Sequence, residues 1–571
     1  MKSLKSEVYD IVASIFVELF SIDPVEFNVD YCDLKYGHFA CNVALTNSKN
    51  LKLNPVVAAN QLVKNLKDDD WIKNVEVQKP GFINITLKDK ILLEALYNRY
   101  PDEIRQYIEM SGTNQTVVID YSHPNIGKPM SVHHLLSTVI GDAIKLIYKD
   151  TGHNVIADNF VGDMGTQFGK LIYAIKTWGD MQAIEDNPVP ELLALYVKYH
   201  VESEKNPELD DFARLEYKKI EDNDSENRAL LTKVQAWSMA EMEMIYRLLG
   251  VEFDYYHGES FYEDKLKDIV DLGIKKGIFV KSEGALVCES DNPDDPPALI
   301  QKKDGTSLYL TRDLARVAYW EQQWQPSIMI NVVDVAQTLQ MSQVYSVSKK
   351  LGLTDARNIH VVFGRMEFKD KSMSTRRGNV IFITDLIDET KRRVLSQIVS
   401  LSKSLSRDDQ VQLTDILAIN SIKYNILKQN RSSSIIFDWD NMLNIEGNSA
   451  PYLAYTAVRM QSIIRKSEGY IDKSDSTNSK ALEELELAEI KLILHVDKLA
   501  ESYHEAKNNF QPSILASYCY DICRLYNSWY NSYKIIEESD AKPHRIRLNC
   551  LTLKVVKQCF ESLGLRIPNK M

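Results

Sequence analysis

The sequence lacks any apolar run near the ~20 residues that a membrane-spanning helix needs. It also lacks a signal peptide. Its opening MKSLKSEVYDIVASIF is an amphipathic pattern with acids in it, whereas a leader is basic and then continuously apolar. Together these absences predict a cytoplasmic protein with no membrane partner. Cysteine is scarce, seven in 571 residues, odd in number and without paired spacing. Cys519 and Cys523 lie one helical turn apart, but no His or Cys pair elsewhere stands at zinc-ligand spacing. Reduced thiols and no metal site are expected. No internal repeat is found. Positive charge falls short, with a net −12, which argues against a protein that coats itself in nucleic acid. A local basic face stays open, because steering depends on where charge sits.

The length predicts two to four domains. Residues 1–112 mix short strands and helices, with Pro80 and Gly81 as a turn between strands, and predict a small α+β domain. Residues 113–380 alternate strands and helices, interrupted by a charged helical insertion at about 186–249 whose charges predict a solvated face. Residues 381–440 and 441–571 read as helical from i, i+3, i+4 apolar spacing. The predicted class is therefore multidomain α/β: a parallel-sheet domain between a small α+β domain and an all-α bundle.

The informative stretch is DYSHPNIGKPMSVHHLLSTVIGD, 120–142. An apolar strand at 116–119 precedes it. Val132, Leu135, Leu136, Val139, Ile140 and Ala143 then recur at helical spacing, with Pro129 expected at the first helical position. A second apolar run at 154–160 closes a βαβ unit of nucleotide-binding type. Lys128, Ser131 and His134 gather at the helix N-terminus, where free N–H groups and the dipole attract anions. A second basic cluster, FKDKSMSTRRGN at 368–379, follows a predicted strand of the same sheet. A helix terminus holding phosphate and a Lys/Arg loop that closes over it suit nucleotidyl transfer. ALIQKKDGTSLYL at 298–310 predicts a hairpin turning at Asp304-Gly305, so Tyr309 is expected on a strand and Asp313 in the first turn of the following helix.

These motifs, with NFVGDMGTQFGKLI, DGTSLYLTRDLA, MSTRRGNV, FDWDNMLNIEGNSAPYLAYTAVRMQSIIRK and the closing LGLRIP, resemble the arginyl-tRNA synthetases of class I. GHFACNVAL and PGFIN are similar to that family's N-terminal domain. The resemblance implies a class I synthetase Rossmann-like catalytic domain, an N-terminal domain touching the outer corner of the tRNA, and a helical anticodon-binding bundle. It implies ATP with Mg²⁺ held mainly by phosphates and water, and L-arginine and tRNA(Arg) as partners of a monomer. The family's His-x-Gly-His signature aligns with Ser131, Val132, His133 and His134. His134 matches the second histidine and is expected on phosphate oxygens. Ser131 replaces the first histidine. His133 replaces the glycine that lets adenine approach, which leaves three routes open: altered stacking, a shifted helix or weak ATP binding. The second signature aligns with Ser372, Met373, Ser374, Thr375 and Arg376. Lys128, with Lys371 in reserve, is expected to supply the charge of its missing lysine.

The same resemblance places Asp313 and Tyr309 at the substrate guanidinium with Glu259 near it. Asp120 and Asn125 are placed at the α-amino and carboxylate groups, and Gln337 in the pocket wall. Carboxylates suit this ligand because guanidinium pairs with them two-pronged. On the bundle, Tyr452, Tyr455 and Arg459, with Arg465 and Lys466, interleave aromatic and basic groups as readers of single-stranded loops do. Arg545, Arg547 and Lys554 are expected to touch RNA as well. The competing readings are a paralogue that binds tRNA without catalysis, favoured only by Ser131 and His133, and another nucleotidyl transferase on this fold.

Overall fold

The computed structural model describes residues 2–101, 103–109, 114–222, 224–303, 305, 308–369, 381–401, 405–471, 484–536 and 543–571. The N-terminal section packs the Leu4–Phe20, Val43–Leu51 and Pro55–Leu66 helices with an antiparallel sheet ordered Val29–Tyr31, Phe39–Cys41, Phe82–Leu87, Ile72–Gln78. The Pro80-Gly81 turn falls between the last two strands, as predicted.

The central sheet has five parallel strands in the order Arg357–Phe363, Ile328–Asp334, Thr116–Asp120, Asn154–Val161, Tyr255–Gly258. The chain enters at Thr116–Asp120, builds outward on one side, then returns to build on the other. The carboxyl ends of Thr116–Asp120 and Ile328–Asp334 therefore flank the switch point where open α/β sheets bind ligands. Alternation along the first strand serves two cores. Val117 and Ile119 pack with the Val132–Asp150 helix, whereas Val118 joins Leu314, Trp320 and Val333 on the opposite face. The insertion is helical, with Met181–Asp186, Pro188–Lys205, Leu209–Glu221 and Ser225–Leu249.

Two local expectations fail. Ala298–Gln301 is a strand, but it pairs antiparallel with Ala285–Cys288 in a separate three-stranded sheet, and part of the expected hairpin, 304 and 306–307, lies outside the described residues. Tyr309 instead begins the Tyr309–Trp324 helix. Leu310, Leu314 and Val317, buried at i, i+4 and i+7, explain why helical packing prevails there. Asp313 is thus the helix's fifth residue, beyond its first turn. Pro129 is not the first helical residue either. Ser131 is the N-cap of Val132–Asp150 and has extended backbone (φ −93°, ψ 170°). The region 381–440, read as helical, also contains a short strand, Ile435–Phe437, paired parallel with Met366–Phe368.

The C-terminal section is a helical bundle. The Arg407–Leu427 helix joins it to the signature helix Val132–Asp150 through Lys423, whose buried ammonium lies 3.5 Å from Asp142. Ala450–Ile471, Pro512–Ser532 and Pro543–Ser562 form much of the rest. Leu487–Asp497 and Leu499–Asn508 follow one another as two further helices.

Candidate active site

The loop after Thr116–Asp120 is stitched to the neighbouring strand end. Ile126 donates its N–H to the Gly162 carbonyl at 3.0 Å, and Gly162 returns one to Pro124 at 2.9 Å. A Cβ at Gly162 would lie 2.4 Å from Asn125 Oδ1, so glycine there lets the Asn125 side chain close in. Ser122 and His123 hold positive φ, 85° and 52°, consecutive strained positions that the tight loop requires.

At the head of the signature helix, His134 Nδ1 accepts the Ser131 backbone N–H at 3.0 Å. The acceptor lone pair on Nδ1 fixes the tautomer that carries its proton on Nε2. Burial, with His123, His133 and Lys128 adding repulsion, lowers the His134 pKa to about 4, so the ring is a neutral donor at pH 7. The terminus is less open than the sequence implied, because Val132 donates its N–H to Ile381 at 3.0 Å. Ile383 in turn donates to Met130 at 3.0 Å. Those two bonds bring the residues following the basic cluster alongside the first signature. Lys371, Met373, Ser374 and Arg376 lie outside the described residues. Lys369, at the near edge of that cluster, is ion-paired with Asp438 at 2.8 Å. Lys128 Nζ rests 4.5 Å from the Tyr196 ring of the insertion. His133 is exposed on the helix, and Ser131 is buried.

Beside this helix head is a cavity of about 310 Å³, lined by Asn125, Glu259, Tyr309, Asp313, Gln337 and Gln340, together with His123, Phe160 and Arg316. Five of the six predicted arginine-site residues therefore share one cavity. Tyr309 and Gln337 are exposed at its mouth. Asp120, the sixth, is fully buried behind it. His123 Nε2 stands 2.9 Å from Asp120 Oδ1, and Asn331 donates to Oδ2 at 3.2 Å. Arg316 Nη1 also donates to Oδ2. Burial pushes Asp120 up, but Arg316 and His123 outweigh it and hold the carboxyl at about 2. Asp313 accepts from Arg316 Nη2 at 2.9 Å and from Gln340 Nε2 at 2.7 Å. Glu259 is less well paired. Its nearest cation is Arg312 at 3.9 Å, and burial, with Asp163 and Asp313 adding repulsion, pushes its carboxyl up to about 7.

Sequence reasoning missed Arg316, Gln340, His123 and Phe160. Two had a signal, since Arg316 follows Asp313 by three on one helix and Gln340 follows Gln337 by the same spacing.

A second cavity, about 670 Å³, lies in the C-terminal bundle. Tyr452, Tyr455, Arg459, Asn527 and the terminal Met571 line it. The Arg459 guanidinium sits between the Tyr455 and Tyr530 rings, 4.9 and 4.6 Å from their centroids. Arg465 and Lys466 line an adjoining groove. Arg545 does not join this surface. It is buried, with Nε donating to Glu489 at 2.7 Å, because the bundle uses it as an internal ion pair. Arg547 donates to the Leu96 and Tyr97 carbonyls of the N-terminal section.

Three family models match: "tRNA synthetases class I (R), catalytic domain" over residues 102–439, "DALR anticodon binding domain" over 453–571, and "Arginyl tRNA synthetase N terminal domain" over 2–87. An arginine–tRNA ligase of Fusobacterium nucleatum is 37% identical over 577 residues, covering 100% of both chains. One from Clostridium botulinum is 35% identical over 521 residues, covering 90% of this chain and 91% of that one. Among solved structures, arginyl-tRNA synthetase from Plasmodium falciparum superposes with a TM-score of 0.83 at 27% identity, covering 100% of both chains. The Thermus thermophilus arginyl-tRNA synthetase gives 0.79 at 20% identity, again over 100% of both, a likeness of fold.

Proposed function

This chain belongs to the arginyl-tRNA synthetases, and from its site we infer how it activates arginine with ATP and passes the arginyl group to the 3′ adenosine of tRNA(Arg). The observation that carries the reading is the position of the Glu259–Asp313 cavity beside the His134 helix head at the sheet's switch point. One side is acidic and suits a guanidinium. The other presents a neutral N–H donor and a helix dipole and suits phosphate.

In this reading the arginine carboxylate attacks the α-phosphate and pyrophosphate leaves. His134 donates from Nε2 to phosphate oxygens, most strongly where charge builds up in the transition state. Ser131 orients His134 through its backbone N–H. Lys128, Lys371 and Arg376, with Met373 and Ser374, take the triphosphate. Exposed His133 borders the adenine side. Asn125 takes the substrate's α-amino and carboxylate end, and Asp120 acts through His123 and Arg316, which stand between it and the cavity. Glu259, Asp313, Tyr309 and Gln337 take the guanidinium end. Mg²⁺ travels with ATP. The site's carboxylates are engaged by arginines, so phosphate oxygens and water are its natural ligands. Tyr452, Tyr455 and Arg459 stack and pair with anticodon bases.

We place the protein in the cytoplasm as a monomer. No helix among the described residues is long and apolar enough to cross a membrane. Exchange of labelled pyrophosphate into ATP, with arginine and with or without tRNA(Arg), tests the reading. Arginine-dependent exchange in either arm supports it. Tight tRNA binding with no exchange in both arms would favour the non-catalytic paralogue.

A further inference from the structure

The arginine cavity already contains a guanidinium. Arg316 is 3% exposed on the cavity's inner wall, stacked between Phe160 and Trp320 at 4.6 and 4.9 Å. Its two terminal nitrogens bridge Asp120 and Asp313. Asp120 also accepts from Asn331, with His123 Nε2 2.9 Å from its other oxygen, and the second oxygen of Asp313 accepts from Gln340. A guanidinium fork seeks a carboxylate with two open oxygens. Both oxygens of Asp120 and of Asp313 are already engaged, whereas Glu259 is only loosely held by Arg312 at 3.9 Å.

We propose that Arg316 is a specificity-determining residue: a resident guanidinium that fills the inner end of the pocket and stops the substrate's guanidinium at Glu259 and the outer edge of Asp313. The proposal rests on the arginine-activating reading above and deepens it. Arg316 need not touch the reacting atoms. It sets the depth of the pocket, and through depth the distance between the substrate's carboxylate and the helix head. Without it the cavity lengthens by a guanidinium and exposes two acids that have lost their arginine partner. Arginine is then drawn inward, out of register with the α-phosphate. An amino acid one methylene longer can reach the acids and keep its carboxylate in place.

The test compares arginine with homoarginine in pyrophosphate exchange on the full chain with tRNA(Arg), using the unaltered protein, Arg316→Ala and Arg316→Lys. In Arg316→Ala, kcat with arginine falls and the arginine-to-homoarginine ratio of kcat/KM drops by about tenfold or more, the scale of one methylene in a fitted pocket. Millimolar guanidinium chloride inhibits the unaltered protein by competing with arginine. In Arg316→Ala it refills the gap and restores the preference. Arg316→Lys keeps the charge on a more compact head and shifts the ratio the same way by less. If Arg316→Ala does not fold, the lysine variant decides. An unchanged ratio, or arginine kcat/KM rising above that of the unaltered protein, overturns the proposal; the latter would make Arg316 self-inhibiting. Calorimetric binding of the two amino acids gives the same ratio without turnover. Absence of exchange in the unaltered protein therefore counts against the activity reading and leaves the Arg316 comparison intact.

Discussion

The Val132 N–H donates to the Ile381 carbonyl at 3.0 Å, tying the first residue of the signature helix to the chain that follows the second signature. The head of the signature helix and residues 381–383 are thus held side by side. Proline at 132 tests this cleanly. A helix tolerates proline at its first position, and extended Ser131 suits the residue before a proline. Val132→Pro should fold with a loss of about 1 kcal/mol, the scale of one hydrogen bond. Its kcat for exchange should fall about tenfold or more, with arginine KM little changed, since misplaced phosphate contacts act mainly in the transition state. Equal kcat in the two proteins would show that the tether has no part in catalysis.

In the proposed site, Glu259 would make arginine binding depend on pH. Burial pushes its carboxyl up to about 7, so the group is neutral below that pH and ionised above it. A guanidinium binds the ionised form and releases the proton. Arginine affinity should therefore be full above about pH 7 and weaken below it, towards a limit of about tenfold per pH unit. Asp120, held at about 2, and His134, lowered to about 4, keep their charge states across this window. The measurement is arginine KM in exchange from about pH 8 down to about pH 5.5. Glu259→Gln should raise KM throughout and flatten the profile. A flat profile in the unaltered protein removes Glu259 from the guanidinium site.

The parts of this site that could be read from the chain are local in sequence. The His134 loop, the acid at the strand end and the tyrosine-arginine helix are each one short pattern with one periodicity. Tyr309 was misplaced because Asp304-Gly305 is a strong hairpin signal, whereas the outcome was decided by packing of Leu310, Leu314 and Val317 against a distant sheet face. Arg316 escaped notice for a related reason. Its partner Asp120 lies 196 residues away, and only the parallel sheet brings them together. Arg545 looked like a surface cation because nothing near it in sequence announces Glu489.

Asp497 is a long-range contact of the same kind and joins the two ends of the chain. Fully buried in the bundle, it accepts the Leu4 and Lys5 N–H groups at 2.8 and 3.2 Å, capping the first helix of the N-terminal section. The Tyr31 hydroxyl at 2.8 Å and the Tyr107 hydroxyl at 3.1 Å also donate to it. Asp497→Ala takes this acceptor from Leu4, Lys5 and Tyr31, at about 1–3 kcal/mol for each that water does not reach, while the Tyr107 hydroxyl keeps the Asp497 backbone carbonyl at 2.9 Å. The N-terminal section should loosen from the bundle, seen as a lower melting temperature and faster proteolysis within residues 2–101. Asp497→Asn keeps one carbonyl acceptor and should fall between. Identical melting of Asp497→Ala and the unaltered protein would mean the contact contributes nothing.

The proposed role of Arg459 in tRNA binding can be tested apart from the chemistry. Its guanidinium is held flat between Tyr455 and Tyr530 and anchored by donating to Asn527 Oδ1 at 2.5 Å. Tyr455 is itself 46% exposed, so the stack continues towards solvent, where an unpaired base can extend it. Removing the guanidinium takes away a cation beside the base and frees Tyr455 to rotate. Stacking on an aromatic is worth about 1–3 kcal/mol per base, so Arg459→Ala should raise the tRNA KM by about tenfold or more. The site lies in a separate cavity from Glu259, so arginine KM at saturating tRNA should stay unchanged. Arg459→Lys keeps the charge but not the flat face. It should therefore resemble the alanine variant if stacking dominates, and the unaltered protein if charge does. Aminoacylation kinetics with tRNA varied at fixed arginine and ATP give the answer, and a tRNA KM unmoved in both variants would take Arg459 out of the RNA interface.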